Sequence, residues 1–172
     1  MKQSELQKEL NKFRAYVIRE SQKNLSKLGK DKGKLYDSID ARVKANANSF
    51  EMEFVMEQYG IYQDKGVSGT KKLYNTPYRY KSGKENAPPP RAFDKWAVKK
   101  GLTPRGKGGK FGGRSSLKFA LSRFIQQNGI KPSLFFTKPF ESAFKKLPND
   151  LVDKFGLDAL TLFNESIYLT EK

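Results

Sequence analysis

Residues 38–58 read SIDARVKANANSFEMEFVMEQ, and apolar and polar side chains alternate along both halves of this segment. An alternation with period two gives a strand one buried face and one wet face. Ser38–Asn46 and Ser49–Gln58 are therefore predicted to be strands, and the link Asn46-Ala47-Asn48 predicts an antiparallel hairpin. The positions assigned to the buried face are Ile39, Ala41, Val43, Ala45, Phe50, Met52, Phe54 and Met56.

Helices are predicted on both sides of this hairpin. Residues 3–28 have an amphipathic pattern that Gly29 ends. We expect this helix to pack on the sheet; the less favoured interpretation is that it also packs between subunits. Its predicted inner face is Leu6, Leu10, Phe13, Val17, Asn24 and Leu28.

Three helices are predicted toward the C-terminus: Ser115–Asn128, a helix that begins at Pro139 and runs to Lys146, and residues 149 to about 169. The inward positions of the first are Leu117, Leu121, Phe124 and Ile125. The element order lacks strand–helix alternation and predicts the α+β class: a small antiparallel β-sheet packed by an N-terminal helix and C-terminal helices, with a basic insertion.

The insertion is residues 66–114, rich in glycine and proline, within a single domain of residues 1–172. Residues 73–80 are predicted to hold a short aromatic β segment, and residues 91–100 a helix. Residues 103–113 form a glycine-rich basic arm that lacks the spacing and the Lys-Ser/Thr ending of a nucleotide-binding P-loop.

Positive charge is concentrated in the middle of the chain. Residues 66–146 hold 19 Lys and Arg against three Asp and Glu, and the rest of the chain holds 15 of each sign. This segregation favours contact with a polyanion or an acidic neighbour over a surface charged only for solubility. The candidate contact residues are Lys95, Lys99, Lys100, Arg105, Lys107, Lys110, Arg114 and Lys118.

The composition argues against catalysis and against a bound cofactor or metal. The chain has no Cys and no His, which removes thiolate chemistry and the commonest general base and metal ligand. Glu51, Glu53 and Glu57 share one wet strand face, where a solvated row is the common case. No apolar run approaches the ~20 residues of a membrane span.

Four segments, in this order, resemble the tail-completion proteins (neck, or head–tail joining proteins) of tailed bacteriophages. They are GKLYDSI at 33–39, YGIYQDKG at 59–66, PRAFDKWAVKKGL at 90–102 and IQQNGIKPSLFF at 125–136. The resemblance covers roughly residues 5–160, and order and spacing carry it. The chain departs from the family pattern at Gly60, where Ala is usual, and at Asp64, where Glu is usual.

The resemblance implies a non-enzymatic virion protein, made in the host cytoplasm, that forms a sixfold or twelvefold ring at the head–tail junction. Its partners would be the head connector or adaptor, the tail tube or tail terminator proteins, and genomic DNA in the lumen. Two other functions remain open from the residues themselves. One is a monomeric, sequence-nonspecific nucleic-acid-binding protein, and the other is a phage-encoded nuclease or processing enzyme.

Overall fold

The computed structural model describes residues 3–31, 33–45, 49–94, 97, 101–102, 113–149, 151–152 and 167–170. The chain forms two compact units. Residues 1–64 and 133–172 make a discontinuous unit, and residues 65–132 make an inserted unit that contains the whole predicted insertion. The helices and strands are α1 Gln3–Lys27, α2 Lys34–Ser38, β1 Asp40–Ala45, β2 Phe50–Glu57, α3 Tyr59–Lys65, α4 Arg114–Asn128, α5 Thr137–Phe144 and β3 Ile167–Thr170.

The predicted hairpin forms the centre of the discontinuous unit. β1 pairs antiparallel with β2, with Ala41 opposite Phe54 and Ala45 opposite Phe50. Ala41 and Phe54 lie on the buried face, whereas Arg42 and Glu53 lie opposite each other on the wet face. The fold is α+β, as the alternation and the flanking helices predict.

A third strand corrects one prediction. Residues 167–170 form β3, which runs parallel to β2, so the sheet order is β1-β2-β3. The helix predicted to reach about residue 169 is therefore wrong over this stretch. Ile167-Tyr168-Leu169-Thr170 consists mainly of β-branched and aromatic residues, which fit a pleated surface better than a helix. Residues 153–166 lie outside the described ranges.

Helix α1 buries one side against the sheet. The predicted residues Leu6, Leu10, Phe13 and Val17 are buried, and the stripe continues through Ser21 and Leu25. Leu28, predicted to be inward, is 48% exposed. Its N–H still donates to the Asn24 carbonyl, and the helix is terminated after it: Gly29 has φ +66°, and the N–H groups of Gly29 and Lys30 donate to the carbonyls of Ser26 and Leu25. This left-handed termination turns the chain away from the helical register.

Side chains of α1 also bond to the backbone of β1. The Gln7 amide donates to the Val43 carbonyl at 3.2 Å and accepts from the Ala45 N–H at 2.7 Å. The Arg14 guanidinium donates to the Ala41 carbonyl at 3.0 Å. This edge of the sheet is thus occupied by the helix and is a poor site for the addition of another strand.

Four phenylalanine rings hold the core of the discontinuous unit together. Phe54 contacts Phe136 and Phe140 edge-on, with ring centroids 5.2 and 5.9 Å apart. Phe140 also meets Phe13 of α1 edge-on at 5.2 Å. Phe140 belongs to α5, which lies within two residues of the helix predicted from Pro139 to Lys146. The sheet, α1 and α5 therefore share one core.

The inserted unit is built around α4. The predicted helix Ser115–Asn128 is confirmed as Arg114–Asn128. Residues 73–80, predicted to be a β segment, contribute only an isolated bridge between Arg79 and Ser68 among the described residues. Pro90–Phe93 is a 3₁₀ turn at the start of the helix predicted over residues 91–100, of which 95–96 and 98–100 lie outside the described ranges.

Candidate functional site

The structure describes two of the eight candidate contact residues. Lys118 lies on α4 with its side chain 25% exposed, and its Nζ is 2.5 Å from Asp94 Oδ1. Its charge is thus already paired within the inserted unit. Arg114 is the first residue of α4, and only its backbone is among the described parts of the chain. The other six, also outside the described ranges, are Lys95, Lys99, Lys100, Arg105, Lys107 and Lys110.

One side of α4 carries a stripe of polar side chains that bond to residues 81–94. Lys118, Ser122 and Gln126 follow each other at intervals of four residues and therefore lie on the same side of the helix. The buried Gln126 amide donates to the carbonyls of Lys81 and Gly83 at 2.9 and 2.6 Å. The buried Ser122 hydroxyl donates to the Pro88 carbonyl at 2.5 Å, and Lys118 pairs with Asp94.

This stripe was not among the predicted inward positions. Of those, Leu117, Leu121 and Ile125 are half-buried, and Phe124 is 62% exposed. The spacing of the polar residues was visible in the sequence. Their burial was not, because it depends on carbonyl groups of a loop more than 30 residues away along the chain.

The C-terminal end of α4 is capped by backbone. The N–H of Thr70 donates to the Gln126 carbonyl at 2.9 Å, and the N–H groups of Lys71 and Lys72 donate to the Gln127 carbonyl at 3.0 and 3.1 Å. Residues 69–72 can lie this close to the end of α4 only with glycine at position 69, since a Cβ there would overlap the Gln127 carbonyl oxygen. The positions of Lys71 and Lys72 also suit the negative end of the helix dipole.

The exposed side of α4, next to the polar stripe, combines two aromatic rings with a cation. Phe119 is 57% exposed and Phe124 is 62% exposed, and the exposed Arg123 lies between them on the helix surface. Residues 114–128 contain three basic residues and no acidic one. Aromatic and arginine side chains are the types that most often anchor protein interfaces, so this face is a candidate contact surface.

The charge segregation follows the two units closely. The inserted unit holds 17 Lys and Arg against two Asp and Glu, a formal charge of +15, and the discontinuous unit holds 17 against 16. Eight basic residues outside the predicted contact set are exposed: Lys71, Lys72, Arg79, Lys81, Lys84, Arg91, Arg123 and Lys131. The basic surface is therefore broader than residues 95–118.

Two titratable groups have shifted pKa values. Burial raises the pKa of the Tyr80 phenol in the inserted unit, so this ring stays neutral beyond the ordinary range of a tyrosine. Partial burial lowers the pKa of the Lys30 ammonium in the discontinuous unit, where it donates to the Gln63 side-chain oxygen. Both shifts arise from desolvation.

Asp64 is a buried carboxylate at the end of the first segment of the discontinuous unit. Its Oδ1 accepts the N–H groups of Phe136 and Thr137 at 2.8 and 3.1 Å, and its Oδ2 accepts the Thr137 hydroxyl. Asp64 thereby caps the N-terminus of α5 from a distant part of the sequence. A cavity of about 10 Å³ beside it, lined by Met56, Ile61, Phe136 and Ile167, has room for no more than one water.

Among the described residues, no group of three or more His, Cys, Asp or Glu is placed to hold a metal ion. On the wet face of the sheet, Glu51 and Glu53 lie opposite Lys44 and Arg42. These carboxylates thus have cationic neighbours across the ladder, as a solvated strand face often does.

Comparison of the chain with protein-family models, with curated proteins and with solved structures found no match. Within the ranges that the structure describes, no helix has both the length and the apolar character needed to cross a bilayer.

Proposed function

We propose that this protein is a structural component of a tailed-phage virion that forms a ring at the head–tail junction, around the DNA channel. The observation that carries the proposal is the meeting of three segments that resemble the tail-completion family. These segments, 33–39, 59–66 and 125–136, are distant in sequence. The parts of them that lie in the discontinuous unit, residues 33–39, 59–64 and 133–136, are joined by hydrogen bonds.

Each hydrogen bond between these segments involves a backbone N–H or carbonyl group. The Leu35 N–H donates to the Tyr59 hydroxyl at 3.0 Å, which ties the first segment to the second. The Ser133 N–H and hydroxyl both donate to the Gln63 carbonyl, which ties the second to the third. Asp64, where the family pattern has Glu, caps α5 through Phe136 and Thr137. These segments thus act together as framework, which supports the resemblance as a structural one.

The charge distribution supports a position beside DNA. A ring of identical subunits would repeat the +15 of the inserted unit around the channel, and a duplex there would exchange its counterions for these cations. The same charge makes free subunits repel each other, so assembly is expected to depend on salt. The proposed neighbours are the head connector or adaptor on one side and the tail tube or tail terminator on the other.

We propose a non-enzymatic role. The one buried carboxylate of the described residues, Asp64, accepts three hydrogen bonds from α5 and has a structural task. The polar stripe of α4 is likewise occupied by the backbone of residues 81–88 and by Asp94. These groups are committed to holding the fold.

The test is electron microscopy of the purified full chain in negative stain over a series of salt concentrations, with immunogold labelling of virions. Closed rings, and label at the junction of head and tail, are the expected results. A chain that stays monomeric at every salt concentration and is absent from assembled particles would rule the proposal out.

A second candidate function is nonspecific nucleic-acid binding by a monomer, which the exposed basic residues of the inserted unit favour. It predicts that the free chain binds duplex DNA with a steep salt dependence. Neutralising four lysines should then lower the slope of log K against log salt by roughly 3 to 4. The four are Lys99, Lys100, Lys107 and Lys110.

The matched control neutralises four exposed lysines of α1 in the discontinuous unit: Lys8, Lys12, Lys23 and Lys27. Tight binding by a monomer that never assembles would favour this second function. Weak binding that becomes strong only in the ring would favour the first.

A further inference from the structure

The two faces of α4 differ in what they have available for a partner. Ser122 and Gln126, on the inner face, donate to carbonyls of residues 81–88 and have no donor to spare. Phe119 and Phe124, on the outer face, expose more than half of their side chains, with Arg123 between them. Two apolar rings beside a cation call for a partner surface that offers both apolar area and carboxylates.

The outer face of β2 has that composition. Residues 50–57 contain three carboxylates and no basic residue, the reverse of α4. Val55 is half-buried on this face, and Glu53 and Glu57 lie two residues away on either side. Asp40 is directly opposite Val55 on β1.

The basic groups on the same sheet face are at its other end. Arg42 lies opposite Glu53, and Lys44 lies opposite Glu51. The end formed by Asp40, Val55 and Glu57 therefore keeps an excess of negative charge.

We propose that the outer face of α4 in one copy docks on the Val55 end of the β2 outer face in the next copy. The inference depends on the ring proposed above and specifies the contact that closes it. Because two different surfaces meet, the contact is heterologous, and repetition of such a contact generates a ring when the rotation closes. Pairing of α4 with α4 is disfavoured, since each helix would bring Arg123 to the contact and residues 114–128 contain no acidic residue to pair with it.

A nucleic-acid duplex is a poorer occupant of this face. Its outer surface is phosphate, which satisfies Arg123 and leaves Phe119 and Phe124 uncovered in water. The free edge of β1 is also a poor alternative for assembly, because Gln7 and Arg14 already bond to it. Among the surfaces that the structure describes, the exposed face of α4 and the acidic face of β2 are a complementary pair.

The test is a charge exchange in the full chain, read by analytical ultracentrifugation and negative-stain microscopy at an ionic strength near 0.15 M. Arg123→Glu or Glu57→Arg alone places like charges together and should weaken assembly about tenfold or more. The double variant Arg123→Glu/Glu57→Arg should restore assembly. The variant Phe119→Ser/Phe124→Ser should lose assembly to a similar degree, with its circular dichroism unchanged.

Mixing the two single variants gives a sharper result. In an alternating ring, each contact then has opposite charges again, so the mixture should assemble although neither component does alone. Charge-matched controls at exposed positions away from both faces are Arg79→Glu and Glu141→Arg. These two variants should assemble as the wild type does.

The possible failures are distinguishable. If the wild type forms rings and both single variants do too, or if neither the double variant nor the mixture recovers, this contact is wrong and the proposed ring survives. If the wild type never assembles, the proposed function and this inference fail together. If Phe119→Ser/Phe124→Ser lowers DNA binding and leaves assembly intact, the face belongs to nucleic acid and the inference is overturned.

Discussion

The two units of this chain are stabilised by different means. The discontinuous unit buries a cluster of 18 hydrophobic residues, 12 of them in α1, the sheet and α5 and the others in α2 and the segments that flank these elements. Among the described residues of the inserted unit, only Val67 and Ala97 are buried hydrophobics, together with the polar Ser68, Ser122 and Gln126. Hydrophobic burial thus organises the nearly neutral unit, and hydrogen bonds organise the +15 unit.

The difference has a consequence for stability. Burial of apolar area is the main favourable term in folding, whereas an internal hydrogen bond contributes only about 1 kcal/mol net. The inserted unit must also offset the mutual repulsion of its charges. We therefore expect it to open at lower free energy than the discontinuous unit, so that a single two-state transition does not describe the whole chain.

The largest effect is expected from Phe54→Ala. Phe54 is fully buried and contacts three other rings, so its removal should lower the free energy of unfolding of the discontinuous unit by about 3–5 kcal/mol. Phe124→Ala, at a ring that is 62% exposed, should change the stability by less than about 0.5 kcal/mol. Urea unfolding followed by circular dichroism measures both. Equal losses for the two variants would contradict the contrast between the units.

The second prediction concerns Asp64, a buried polar residue of the largely apolar discontinuous unit. Asp64→Ala leaves two backbone N–H groups and the hydroxyl of Thr137 without their acceptor in a buried place, and should cost about 3 kcal/mol. Thr137→Val removes one of the three bonds and should cost about 1 kcal/mol. The same urea experiment compares them. A loss below 1 kcal/mol for Asp64→Ala would show that water readily replaces the carboxylate.

The third prediction concerns Gly69 in the inserted unit, where there is no room for a side chain beside the end of α4. In Gly69→Ala the new Cβ overlaps the Gln127 carbonyl, which should break the cap on α4 at a local cost of about 2 kcal/mol. Amide hydrogen exchange should show faster exchange at residues 70–72 and unchanged protection in β2. Gly113→Ala, where φ is −63° and the Cβ meets nothing within 4 Å, is the matched control. Loss of protection in both units would mean that they unfold together.

The same division explains what the sequence could predict. Period-two alternation and helical spacing identify buried residues when burial is hydrophobic, and so the hairpin, α1 and α5 were predicted within a few residues of their observed bounds. Leu28 keeps the helical hydrogen bond to the Asn24 carbonyl but is 48% exposed; helical spacing identifies a side of the helix and not how far along the helix the covered part extends. β3 was missed because residues 149–169 have enough apolar positions to suggest a helix, and its partner, β2, is over 100 residues away.

Sequence reasoning was weaker in the inserted unit. The concentration of charge was visible, but the prediction that Phe124 is an inward residue of α4 was wrong, and the burial of Ser122 was not predicted. Sequence patterns assign apolar residues to the buried side, whereas a buried serine needs a hydrogen-bond acceptor. For Ser122 the acceptor is the Pro88 carbonyl. The exposed Phe119–Arg123–Phe124 face was not predicted for the same reason.

The smallest effects are expected when a buried serine is replaced by alanine: the change should stabilise the discontinuous unit and destabilise the inserted unit. Ser21 in α1 is fully buried, and its hydroxyl has no hydrogen-bond partner, so Ser21→Ala removes an uncompensated polar group and should stabilise the discontinuous unit by up to about 1 kcal/mol. Ser122→Ala deletes the bond to Pro88 and should weaken the inserted unit by about 1 kcal/mol. Urea unfolding measures the first effect, and amide hydrogen exchange at residues 84–87 measures the second. A destabilised Ser21→Ala would mean that a bound water satisfies this hydroxyl, and the two units would then differ less than their burial suggests.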